Sequence, residues 1–299
     1  MSSIEMLRCI LCMSSMFLLH FPAFAQTGMM KSESDYFKKV LFLDCTYEKH
    51  NYEKIDDELL RIKYRCYLSF EDNPGGDGLE EYMILQIGTR YSKFTSPILH
   101  AADSAIMQGN DVLKFSLFKK ANPIFVFYCY YTCLQTGELT FDERFITEDF
   151  EYKETLPLIE WTITDERRSV CGYLCNKATG HFRGRDYIVW YTEDIPVSAG
   201  PWKLRGLPGV ILYAQGRDNE CLFEACSIKK GNGIIEKPDY PYINISRKQY
   251  LSLLKQYLDK PGKFSRMHMS RTPGITATQS PGDKETPTPI RPFIILEKE

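Results

Sequence analysis

The chain has 299 residues, 43% of them hydrophobic, and a formal net charge of −2. That balance argues against a nucleic-acid partner, which calls for a basic surface. Length and apolar content suffice for one large domain with a buried core.

The first 25 residues read as an export signal. Arg8 precedes the apolar run Cys9 to Phe24, and Ala23-Phe24-Ala25 gives an A-x-A cleavage pattern before Gln26. The run is short, broken by Ser14, Ser15 and His20 and closed by Pro22, which sets it apart from a transmembrane helix. No later stretch approaches the run of about 18 apolar residues that a membrane span needs. No transmembrane segment is therefore expected after cleavage. The polar residues from Gln26 to Ser34 read as a leader.

Strands are expected at Lys39 to Tyr47, Arg61 to Phe70 and Tyr82 to Gly88, short runs rich in aromatic and branched residues. Asn73 to Gly78 is a loop by composition. Ser96-Pro97 opens a short helical piece toward Met107. Ile124 to Leu134 alternates, with Phe125, Phe127, Cys129, Tyr131 and Cys133 on one face, and Leu139 to Phe141 begins the next strand. Ile159 to Thr164 is a further strand.

Val170 to Ala178 and His181 to Tyr191 are expected to pair around a Thr179-Gly180 turn. In that register Ala178 meets His181, Cys175 meets Gly184 and Cys171 meets Ile188. Cys171, Tyr173, Cys175, Phe182, Ile188 and Trp190 then share an apolar face. Asn176, Arg183, Arg185 and Tyr187 share a polar one. Val210 to Ala214 and Cys221 to Ile228 form another hairpin. Asn244 to Leu258 is a helix, with Ser246 and Gln249 as a capping box and Leu251, Leu254 and Leu258 on one face. Asp259 to Pro292 is rich in Pro, Gly, Thr, Ser and charge, and is expected to be disordered. Phe293-Ile294-Ile295-Leu296 is a candidate terminal edge strand.

Many short strands with few, late helices predict a mainly β fold. The pattern is that of an antiparallel barrel, half-barrel or strongly curved sheet with one or two short helices. It would occupy residues 26–258 as a single domain, ahead of a low-complexity tail at 259–299.

Four constellations are candidates for function. In the run Gly206-Leu207-Pro208-Gly209, Pro208-Gly209 suits the centre of a type II turn, with Gly209 at positive φ. Gly206 permits a second bend or a close backbone approach. This reads first as a structural corner and second as a ligand loop. Arg183 and Arg185 share a strand face by their spacing, and so do Lys203 and Arg205. If the turn folds over the hairpin, these four cations would converge on a carboxylate or phosphate. Pairing with nearby acids or plain solvation is the alternative. Trp161, Trp190 and Trp202 lie close together in sequence and read first as core fillers and second as the lining of an apolar cargo pocket, with Trp202, in a loop, the exception to core filling.

After cleavage the cysteines are Cys45, Cys66, Cys129, Cys133, Cys171, Cys175, Cys221 and Cys226. An even count in an exported chain permits disulfides. Within Cys129/Cys133 or Cys171/Cys175 the strand rise holds the thiols roughly 13 Å apart, beyond disulfide reach. Cross-strand bonds among these four, or buried thiols, are expected ahead of a metal site. No nucleophile elbow, zinc-protease helix motif or phosphate loop appears, and no cofactor is implied.

The run Gly206-Leu207-Pro208-Gly209-Val210-Ile211 resembles the signature of the GLPGLI family of bacterial exported proteins. Trp161, Gly172-Tyr173, Cys175, Phe182-Arg183-Gly184-Arg185, Trp190-Tyr191-Thr192, Ile195-Pro196 and Gly200-Pro201 agree with the family pattern. Val210 departs from its usual leucine, and a polar insert precedes Pro292. The resemblance implies export to the periplasm or envelope of a diderm bacterium and a β-rich envelope fold. The functional expectation is a non-enzymatic domain that binds a lipophilic or peptide-like ligand or docks on an outer-membrane partner. Its rivals are a hydrolase with a site assembled from distant residues and a thiol-based metal-handling protein.

Overall fold

The computed structural model describes residues 51–69, 73, 75–98, 101, 128–145, 148–259 and 296–297. The export signal, the strand expected at Lys39 to Tyr47 and the tail up to residue 295 lie outside them. So does most of the helical piece after Ser96-Pro97.

The strands are β1 (Tyr52–Asp57), β2 (Leu60–Ser69), β3 (Gly78–Ile87), β4 (Tyr91–Thr95), β5 (Tyr128–Cys133), β6 (Glu138–Phe145) and β7 (Glu148–Thr155). They continue with β8 (Thr162–Val170), β9 (Tyr173–Phe182), β10 (Arg185–Thr192), β11 (Val210–Gly216), β12 (Cys221–Lys230), β13 (Ile234–Pro238) and β14 (Ile243–Asn244). One helix, α1 (Arg247–Asp259), follows.

Twelve strands form one open sheet in the order β14-β7-β6-β5-β4-β3-β2-β12-β11-β10-β9-β8. It is antiparallel except where β14 pairs with β7. β1 and β13 make a separate two-stranded ribbon. The protein is thus mainly β, and its large twisted sheet does not close into a barrel.

One face of the sheet carries the core. Its spine is a cross-strand row set by the ladder registers: Ile62 beside Leu85, then Phe94, Tyr130, Phe141 and Tyr152. Ring centroids in this row are 6.4, 4.9 and 4.7 Å apart from Phe94 to Tyr152. Directly opposed side chains are the unit of sheet stabilisation, so this row ties six strands together, β2 to β7. α1 lies on the same face, with Tyr250 edge-on to Phe141 (4.9 Å between ring centroids) and Leu254 buried. The capping box forms as expected: the Ser246 amide donates to Gln249 Oε1 (2.8 Å) and the Gln249 amide donates to Ser246 Oγ (3.2 Å).

The β1–β13 ribbon is tied to the other face. Lys93, beside Gln86 on β3, donates from Nζ to the Glu236 carbonyl (2.8 Å). Buried Glu58 accepts from Gln86 (3.1 Å) and Arg61 (2.6 Å).

Two expectations are corrected here. The β9–β10 turn is Arg183-Gly184, not Thr179-Gly180. Both residues take positive φ (51° and 74°), as a two-residue type I′ turn requires. Phe182 pairs with Arg185, and Ala178 pairs with Val189 rather than His181. Gly180 stays inside the strand because a Cβ there would lie 2.7 Å from the Trp161 ring. Second, the face read as polar is the core face. Tyr187 is 1% exposed and Arg185 4%, beside Val189 and Tyr191. On the opposite face, Trp190 is covered by the Arg168 guanidinium, 4.4 Å from its ring.

Candidate functional site

Residues 193–209 leave β10, cross the core face and return as β11. Backbone bonds pin the crossing: the Ile211 amide donates to the Ala199 carbonyl (2.9 Å) and Val210 to Ile195 (3.1 Å). The segment fills the space above the aromatic spine. The void left between Phe94, Tyr130, Trp202 and Leu204 is about 10 Å³, room for at most one water.

The glycines divide the work differently from the expectation. Gly206 takes the positive φ, 103°, while Gly209 does not. Gly209 is instead a contact glycine: a Cβ there would sit 1.9 Å from the Thr192 carbonyl oxygen. The type II turn with Gly209 at positive φ is therefore not formed, and Pro208-Gly209 bends into β11. The Trp161 indole N–H donates to the Arg205 carbonyl (2.9 Å), fastening the corner from the side.

Trp202 is 3% exposed, at φ 55°. A left-handed backbone at a bulky residue is held only where its surroundings over-determine it. Here the indole packs edge-on to Phe182 (5.5 Å) and beside Tyr187 (6.4 Å). Trp202 is thus packed in the core, not the exception to core filling that its place in a loop suggested.

Three of the four expected cations converge, and they face inward. Lys203 is fully buried in its side chain. Its ammonium donates to Tyr152 Oη (2.8 Å) at the end of the aromatic spine, to Glu154 (2.6 Å) and to Glu297. Arg183 reaches the other Glu154 oxygen (2.5 Å). Arg185 pairs with Glu220 (2.7 Å) and donates to the Leu296 carbonyl (2.7 Å). Arg205 stands apart, donating to the Leu134 carbonyl (2.7 Å), and burial lowers its pKa.

The sequence reading missed Arg247, at the start of α1. It holds Glu297 and lies 3.8 Å from Glu154. The signal was present: the first turn of α1 contains no acid, although a helix N-terminus favours one. Glu154, Glu220 and Glu297 could not be assigned by spacing, since they come from β7, the β11–β12 turn and the far end of the chain. Burial alone would raise the Glu297 pKa, but Lys203 and then Arg247 pull it below the usual range. A cation removed from water without such partners would be strongly destabilising.

Other acids are buried on both sides of β6. Asp142 lies on the face tied to the ribbon and accepts from Tyr242 Oη (3.1 Å). Burial raises its pKa to about 7, against the opposing pull of Lys237 and Lys93. Glu143, on the core face, accepts from Tyr250 Oη (2.6 Å), and burial lifts it to about 8.

Cys129, Cys133, Cys171 and Cys175 are free thiols, as are Cys66, Cys221 and Cys226. Of the two expected outcomes, the cross-strand bonds do not form, since β4, β3, β2, β12, β11 and β10 lie between β5 and β9, while Cys129 and Cys175 are buried thiols. Cys171 is not in a strand. It takes φ 50° in the β8–β9 turn with Gly172. Among the described residues, no three His, Cys, Asp or Glu side chains are grouped to hold a metal. No helix among them is long and apolar enough to cross a membrane.

A family model described as "Protein of unknown function (Porph_ging)" matches residues 183–213. That stretch contains Arg183, Arg185, Trp202, Lys203, Arg205 and the glycine corner. Two crystal structures of PNGF-II, in space groups P21 and C2, are similar at 19% identity and TM-score 0.47. They cover 65% and 70% of this chain but 32% and 33% of their own. The chain therefore spans about a third of the length of these structures. No curated protein matches.

Proposed function

We propose that this chain is an exported envelope protein of the GLPGLI type, which works by docking a protein partner rather than by catalysis. The observation that carries this reading is the crossing segment. Among the described residues, the void beside it, lined by Leu85, Phe94, Tyr130 and Trp202, is about 10 Å³, whereas a drug-sized ligand needs roughly 300 Å³ or more. That favours a protein-like occupant over the lipophilic small molecule that the sequence left open. Export rests on the signal pattern of residues 1–25, and the GLPGLI assignment on the motif that lies inside the matched stretch.

A hydrolase reading draws on one observation, the raised pKa values of Asp142 and Glu143. Adjacent strand residues project to opposite faces, so these two carboxyls do not act on one substrate atom.

The test is fractionation of the native cells, followed by mass spectrometry of the purified chain and its cross-linked neighbours. The expected result is a mature N-terminus at Gln26, recovery from the envelope, and one stoichiometric envelope protein attached. A chain retaining Met1 in the cytoplasm would overturn export. An envelope chain that cross-links to nothing would overturn docking.

A further inference from the structure

β8 ends the twelve-stranded sheet, and among the described residues its outer backbone edge is unpaired. The strand at the other end, β14, is only two residues long. A long unpaired edge is a template for a further strand. β8 has nine residues, and every one except Val170 keeps part of its surface in water.

From Ile163 to Arg167 β8 takes four steps where its partner, from Ala178 to Asn176, takes two. Alternation of faces survives this bulge. Glu166 reaches Lys177 (2.7 Å), and Arg168 covers Trp190, which stands opposite Lys177. Ile163, Asp165, Arg167 and Ser169 therefore line the other face. Asp165 and Arg167 are exposed and have no partner among the described residues. Ile163 is 53% exposed, and so is 56% of Leu174, which pairs with Ser169 from β9. Two free opposite charges and two large apolar side chains thus lie in water along one strand edge.

A second copy of the strand answers both. In a two-fold antiparallel pair one residue faces itself, and residues equally far from it on either side face each other. Centred on Glu166, Asp165 of each copy faces Arg167 of the other, twice. Ile163 of each copy faces Ser169 of the other and closes over that small residue onto Leu174. Opposite charges so placed attract, and like charges repel. Centred on Asp165 or on Arg167, the pair would instead set two free like charges against each other. Glu166 also faces its own copy, but Lys177 neutralises it within each chain. A charged, bulged edge ordinarily discourages pairing. Here the charges have both signs, in an order that mates with itself.

We propose that β8 is a self-association edge, which pairs antiparallel with β8 of a second copy of this chain about Glu166. This edge does not depend on the envelope partner proposed above. Nine residues a side is well under the roughly 20–30 of a standard interface, and the bulge adds twist that keeps the ladder short. The dimer is therefore weak and reversible.

The experiment is sedimentation equilibrium of the purified full chain over a concentration series at low salt, where surface charges are least screened. Wild type should pass from monomer to dimer. D165R sets two arginines against each other at both pairs, and R167D sets two acids against each other. Each should weaken dimerisation at least about ten-fold. Mixed one to one, the two variants complement, because each basic pair of positions meets an acidic one. The mixture should dimerise about as tightly as wild type, and so should D165R/R167D, which exchanges the charges within one chain. Positions that served only the fold would not be rescued by mixing two chains. Cooperative thermal unfolding of each variant shows that it is folded.

A wild-type chain that stays monomeric up to about 0.3 mM would overturn the proposal. So would dimers that persist equally in D165R and R167D, or a mixture of the two that stays monomeric. Cross-linking in the native envelope that joins β8 to a different protein, and never to a second copy, would overturn the second copy as occupant. Because the sedimentation uses purified chain alone, its failure leaves the export and docking result standing.

Discussion

Gly206 and Gly209 carry different burdens, and alanine at each separates them. At Gly206 the backbone sits at φ 103°, and the first atom a Cβ would meet is Trp161 Nε1 at 3.3 Å. The cost of G206A is therefore mainly conformational, about 1–2 kcal/mol for the left-handed sign of φ. At Gly209 a Cβ would lie 1.9 Å from the Thr192 oxygen and 2.6 Å from its carbonyl carbon. Thr192 pairs with Val210 in the β10–β11 ladder, so backbone rather than a flexible side chain must move. Overpacking costs about 1–3 kcal/mol where side chains can yield, and G209A belongs at or above the top of that range. About 1 kcal/mol shifts Tm by roughly 2–4 °C in a domain of this size. G206A should lower the melting temperature by about 2–8 °C and G209A by about 6–12 °C or more, measured by circular dichroism at one protein concentration. If G209A melts at or above G206A, the close approach to Thr192 is not why glycine is there.

Removing the acid shared by Lys203 and Arg183, as E154Q, should cost about 3–5 kcal/mol in urea unfolding; an unchanged midpoint would contradict the buried network. Stability should also respond to pH. Asp142 and Glu143 have folded pKa values above their ordinary 3.8 and 4.5. Their protonated forms favour the fold, so this contribution is full below pH 4 and declines as pH rises toward 7 and 8. Each group changes stability by at most about 1.4 kcal/mol per pH unit in that window. The urea midpoint should therefore rise on going from pH 8.5 to 5.5, and D142N/E143Q should flatten the rise. The opposite sign comes from Glu297, whose lowered pKa stabilises above pH 4.5 and is lost only below it. Under native conditions Cys226, which is exposed, should react with a thiol reagent well before buried Cys66, Cys175 and Cys221. A denatured, non-reduced chain that titrates fewer than all its described thiols would restore the disulfides.

Where local chemistry decides an element, the sequence showed it. Ser246 and Gln249 cap α1 as their spacing requires, and Val210 to Ala214 pairs with Cys221 to Ile228. The strands that escaped notice have dilute signals. In β7, Phe150 and Tyr152 face the core, but the intervening positions are acidic. β1 is mostly charged and earns its place by pairing with distant β13. The misplaced β9–β10 turn has a specific cause. Both Thr179-Gly180 and Arg183-Gly184 look like turns, and the choice is made by Trp161, which needs the bare backbone of Gly180. The orientation of Arg185 was hidden because its partner, Glu220, lies beyond the next strand. Polarity predicts solvent exposure only when no buried acid waits on the other side. The same holds for Lys203, whose three partners come from β7 and from Glu297.

The inward-facing lysine is the most direct test of all this. Brief acetylation of the folded wild-type chain, followed by peptide mass spectrometry, compares Lys203, with no exposed side-chain surface, against Lys153, whose side chain is 70% exposed. Lys203 should stay unmodified while Lys153 reacts to completion, and E297Q should speed only the former. Equal labelling of both amines in the wild-type protein would mean that the cation reaches water and that no buried network exists.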